Sequence, residues 1–63
     1  MSGEELKQLR RAAGLTQPEL ASWVHVHPLT VSRWERGIRA ISAHTEGYLR
    51  VVLGRLTDRA YEG

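Results

Sequence analysis

Apolar residues recur at helical spacing in four stretches of the chain, with polar caps between them. Leu6, Leu9, Arg10 and Ala13 fall at i, i+3, i+4 and i+7, one helical face with a single charge set into it. Ser2 and Glu5 open this helix as a capping-box pattern, and Gly14 closes it. A second box, Thr16 with Glu19, precedes a stripe of Leu20, Ala21 and Val24. Pro18 is tolerated there because a first-turn amide lacks a helical partner. His27 at the N-cap and Pro28 at the first helical position start a third helix, which runs through Val31 and Trp34 to a stop at Gly37. Ser42 caps a fourth, carrying Tyr48, Leu49, Val51, Val52, Leu53 and Leu56 and weakened by Gly47 and Gly54, with a tail expected to fray from Thr57 onward. No stretch alternates with a period of two, so the expected fold is all-α: a compact single domain of four to five helices over residues 1–63.

The second and third helices are short and joined by a turn of a few residues. That arrangement lets the first of the pair hold the second against the body with one face outward. On the third helix Val31 and Trp34 point one way, while Leu29, Ser32, Arg33 and Arg36 occupy the opposite arc. An arc of this kind fits a major groove about 12 Å wide, where an arginine can donate twice to guanine.

Charge sharpens this picture. The net charge is only +2, but the cations are eight arginines against one lysine, and arginine presents a planar fork suited to phosphates and guanine edges. Residues 25–45 hold Arg33, Arg36, Arg39 and all the histidines against one acid, Glu35, which favours a basic face for a polyanion. A chain of 63 residues buries only about 60% of its unfolded surface, so its core is small. Cysteine is absent, which excludes disulfides and thiolate zinc sites and makes a second copy of the chain a natural source of stability. The N-terminus lacks the regions of a signal peptide, and no apolar run approaches the roughly 20 residues of a membrane span, so a soluble, cytoplasmic protein is expected.

No catalytic constellation emerges. Ser42 and His44 lack an orienting acid, Glu4 and Glu5 sit where they complement a helix dipole, and no glycine loop cradles phosphate. His25 and His27 form a His-x-His pair without further ligands, short of the four that zinc usually takes. An enzyme, a metal, a cofactor and a small-molecule ligand are therefore not expected. The apolar residues of the fourth helix cover more than the stripe of about 100° that one core needs, which makes residues 43–56 a candidate dimerisation helix with Tyr48, Val51 and Leu53 at the seam. Trp34 reads as core, whereas Trp23 lies at the edge of its stripe and suits either the first helix or a subunit contact.

Residues 17–36, with the flanking runs "LRRAAGLTQPELA" and "TVSRWERG", resemble the helix-turn-helix of the lambda repressor and Cro (XRE) superfamily. The small residue at Ala21 and the apolar residues at Leu20, Val24, Val26, Val31 and Trp34 fit that pattern, and the likeness extends over about residues 4–56. The resemblance implies that Leu29, Ser32 and Arg33 face base edges and that Thr16, Gln17, His27, Thr30, Arg36 and Arg39 serve the DNA backbone. It also implies a partly buried, bidentate ion pair between Arg10 and Glu35. Two positions depart from the pattern. Pro28 and Leu29 lack side-chain hydrogen-bonding groups, shifting readout toward Arg33, and His25 stands where relatives often place a glycine in the turn. The implied protein is a homodimeric regulator on a palindromic operator of double-stranded DNA, most like a phage or mobile-element repressor of its own operon, with anti-CRISPR operons a further setting. The competing reading is a protein-interaction or antitoxin module on the same scaffold with weak DNA binding.

Overall fold

The computed structural model describes the backbone of residues 1–62 and the side chains of residues 1–58. It is all-α, with four helices: α1 (Gly3–Ala12), α2 (Gln17–Trp23), α3 (Pro28–Glu35) and α4 (Ala43–Glu62). No fifth helix or strand forms among the described residues. Helix α2 packs on α3, and α1 packs on both α3 and α4. No described helix is long and apolar enough to cross a membrane.

The caps follow from local chemistry. Ser2 accepts from the Glu5 amide, Thr16 and Glu19 form a complete reciprocal box, and Ser42 Oγ accepts from the Thr45 amide at 3.1 Å. The Ser2–Glu5 pattern is only half a box. The Glu5 carboxylate turns away and takes Arg50 of α4 at 3.0 Å, so a residue read as local ties α1 to α4. Helix α4 does not fray at Thr57 but continues to Glu62. Leu49 and Leu53 anchor it in the core, and the Thr57 hydroxyl donates back to the Leu53 carbonyl at 2.7 Å.

The first three helices end alike. In each, the second residue past the last helical one has a left-handed backbone, and its amide and the next one bond back to carbonyls of the last turn. After α1, Gly14 has φ 74°, its amide reaching Arg11 and that of Leu15 reaching Arg10. After α3, Gly37 has φ 75°, with Gly37 to Trp34 and Ile38 to Arg33. After α2 the left-handed residue is His25, φ 59°, with His25 to Ser22 and Val26 to Ala21. These turns fix the angles at which helices leave one another, and the one at His25 aims α3.

The core gathers one face of each helix: Leu6 and Ala13, then Leu20, Ala21 and Val24, then Val31 and Trp34, then Leu49 and Leu53. Gly3 makes the closest backbone approach. A side-chain carbon there would overlap the carbonyl oxygens of Trp34 and Glu35, so the start of α1 rests directly on the end of α3.

Candidate nucleic-acid interface

Helix α3 splits cleanly between interior and surface. Val31 is fully buried and Trp34 nearly so, which turns the arc of Leu29, Arg33 and Arg36 outward. Ser32 and Thr30 lie at the margins, half-buried. Among the described residues, no side chain bonds or pairs with Arg33, Arg36 or Arg39, and no carboxylate neutralises that face. Leu29 retains 43% of its surface, so an apolar side chain stands on the outward arc beside the arginines.

The N-terminal turn of α3 is held by His27. Its Nδ1 accepts from the Leu29 amide at 3.0 Å, so an outward contact falls to Nε2, which as N–H is a donor suited to phosphate. Thr16 is exposed with its oxygen engaged by the Glu19 amide, leaving the hydroxyl proton to donate. Beyond α3, the amides of Ile38 and Arg39 both return to the Arg33 carbonyl, at 3.0 and 3.3 Å. These two hydrogen bonds fix the start of the arginine loop beside the last turn of the helix, and Arg39 itself is exposed.

Behind the surface lies a polar knot. Arg10 Nε donates to Glu35 Oε2 at 2.6 Å and Arg10 Nη2 to Glu35 Oε1 at 3.1 Å, the two parallel bonds of a bidentate pair. Arg10 Nη1 donates to the Leu15 carbonyl at 2.7 Å, and Gln17 Nε2 to Glu35 Oε1 at 3.0 Å. One carboxylate therefore binds α1, α2 and α3 together, with its side chain only 3% exposed. Burial pushes the Glu35 carboxyl up, but the hydrogen bonds from Arg10 and Gln17, aided by the charges of Arg10 and Lys7, outweigh it and hold the group below its usual range. The bond to Glu35 in turn raises the Arg10 guanidinium against the opposing effect of burial.

Gln17 also has a structural role. One hydrogen of its amide is committed to Glu35, so a phosphate at the start of α2 would meet its remaining amide hydrogen and the backbone N–H groups of the first turn. No buried side-chain nitrogen or oxygen lacks a partner among the described residues.

The expected subunit seam needs one correction. Leu53 is 1% exposed and belongs to the core, because it shares the inward face of α4 with Leu49. Tyr48 and Val51 are exposed, and they join Trp23 of α2, for which the sequence left open the first helix or a subunit contact. Trp23, 49% exposed, lines one groove with Tyr48, Val51, Val52, Arg55 and Leu56. Sequence signalled this only through the position of Trp23 at the rim of its stripe. Among the described residues, no group of three or more His, Asp or Glu could hold a metal ion.

Residues 3–59 match the profile of a family described as a helix-turn-helix domain. No curated protein and no solved structure matches the chain.

Proposed function

The chain belongs to the helix-turn-helix domain family, and from that membership together with the unpaired arginines of α3 we propose that it is a sequence-specific regulator of transcription that binds double-stranded DNA through α3 in the major groove. The carrying observation is the outward arc of α3, where Arg33 and Arg36 have no carboxylate partner among the described residues while Trp34 anchors the opposite side. Leu29, Ser32 and Arg33 read base edges. Thr16, Gln17, His27, Thr30, Arg36 and Arg39 neutralise or bond the phosphate backbone. Residues 1–63 act as one unit, residues 17–36 forming the helix-turn-helix.

The regulator works as a homodimer on a palindromic operator, with half-sites about one helical turn, 34 to 36 Å, apart. The groove of Trp23, Tyr48 and Val51 supplies the apolar seam, and its apolar character supports a contact between copies. Occupying the promoter of its own operon in a phage or mobile element, the dimer acts as a repressor in the cytoplasm, without cofactor or catalysis.

The test separates readout from attraction. Selection of bound fragments from a random DNA pool should enrich a palindrome. Arg33→Ala should cost about 1 to 3 kcal/mol on that palindrome and relax preference at one position per half-site. Arg36→Ala should weaken binding to all sequences alike and lower the salt slope by about one. A random pool that yields no enriched sequence, with both variants binding DNA as the parent does, overturns the proposal.

A further inference from the structure

We propose that α3 recognises a pyrimidine 5-methyl group in the major groove, within about two base pairs of the guanine bound by Arg33. This rests on the DNA-reading role of α3 proposed above and says what its leading turn reads. Pro28 and Leu29 are both exposed at that turn, and neither side chain can donate or accept a hydrogen bond. The base edges of the major groove offer donors, acceptors and one apolar group, the C5 methyl. A leucine entering that groove therefore leaves donors and acceptors unpaired against most bases and gains only where a methyl meets it.

The geometry makes the methyl and the guanine neighbours. Leu29 and Arg33 stand four positions apart on one helix, so their side chains share a face and their backbones are separated by about 6 Å along the axis. Base pairs stack at roughly 3.4 Å, so the two backbone positions lie about two steps apart along the helix axis. The Arg33 side chain is unpaired among the described residues and is free to reach toward the Leu29 end. Leu29 is also held firmly: its own amide is fixed by His27 Nδ1, and Pro28 before it has a restricted backbone. A methyl in this groove comes from thymine or from 5-methylcytosine, and both present the same carbon.

The experiment starts from the selected operator and measures the Kd of the purified chain on duplexes with single changes. Replacing each thymine by deoxyuridine in turn should weaken binding about four-fold at one position per half-site, the effect of one buried methyl. Leu29→Ala should bind the thymine and deoxyuridine duplexes equally, while Arg33→Ala loses affinity for both and keeps their ratio. Loss with deoxyuridine assigns the methyl to thymine. A gain on methylating an operator cytosine, without loss on deoxyuridine, assigns it to 5-methylcytosine. If an operator is bound specifically and neither change moves the Kd of the parent chain, the methyl reading is overturned and the DNA-reading role stands. If no sequence is enriched at all, both fall together.

Discussion

His25 holds a left-handed backbone that costs a residue with a Cβ roughly 1 to 2 kcal/mol relative to the right-handed form. Glycine takes the equivalent place after α1 and α3, and nothing in the turn bonds the imidazole. His25→Gly should therefore stabilise the fold by up to about 1 kcal/mol, part of the gain being offset by the greater freedom of glycine in the unfolded chain. In a domain this small, thermal unfolding should shift upward by about 4 to 8 °C per kcal/mol. A melting temperature unchanged or lowered would mean that the turn carries no strain. Gly3 gives the opposite case. Propensity alone favours alanine in a helix, but a Cβ at Gly3 would overlap the carbonyls of Trp34 and Glu35. Gly3→Ala should destabilise by about 1 to 3 kcal/mol in urea titration, as overpacking does. The two positions differ in legibility. The stops at Gly14 and Gly37 could be read from glycine itself, whereas the turn at His25 was signalled only by the resemblance, which often places a glycine there, and the neighbours of Gly3 come from a distant helix.

At the scale of elements, the Glu35 knot decides how α3 is presented. Removing one member of a buried pair leaves the other charge unpaired, which costs about 3 to 5 kcal/mol. A domain of this size has a total stability of roughly 3 to 9 kcal/mol, so Glu35→Ala should bring it close to unfolding. The double variant Arg10→Met with Glu35→Leu should lose less than the sum of the single changes, because no charge is stranded. Strict additivity in urea midpoints would show that the pair does not couple. Acid should act through the same carboxylate. Glu35 binds its proton more weakly folded than unfolded, so falling pH protonates the unfolded chain first and draws the equilibrium toward it. The contribution is complete above the ordinary glutamate value of 4.5 and is lost as pH falls through the lower folded value. Glu19 and Glu46, lowered by bonds from Thr16 and from the N-terminal ammonium and Arg50, act in the same direction. Thermal melts between pH 6 and pH 3 should show the loss confined to the acid side of 4.5, with a smaller slope in Glu35→Gln. Of these elements, the four apolar stripes and their caps were readable because period and cap lie within one segment. The knot was expected only from resemblance, since Arg10 and Glu35 lie far apart in sequence. That Gln17 and the Leu15 carbonyl join it could not be read from either segment alone.

At the scale of the whole molecule, one copy measures 34 × 20 × 19 Å and offers a single α3, enough for one half-site, whereas a second half-site lies about one helical turn, roughly 10 base pairs, away centre to centre. Pairing two copies would raise affinity through effective concentration, a gain that can reach 10² to 10⁴. The faces of α4 show where such pairing is possible. Leu53 and Leu49 are spent on the core, while Val51 and Tyr48 lie on the solvent side beside Trp23. Helical periodicity marked α4 as too apolar for one core but did not say which residues were surplus, because that depends on how α1 crosses it. The distinction can be measured. Val51→Glu places like charges across a two-fold seam and introduces a better helix former, so melts compared at concentrations where both chains are monomeric should differ by no more than about 0.5 kcal/mol. Sedimentation should then show monomer where the parent chain is dimeric, and operator affinity should fall by the bivalent factor while binding to a single half-site persists. Leu53→Ala should do the reverse, costing about 2 to 5 kcal/mol of stability because it empties the core. A parent chain that sediments as a monomer at concentrations saturating the operator would remove the seam from α4 and leave the two-fold arrangement to the DNA alone.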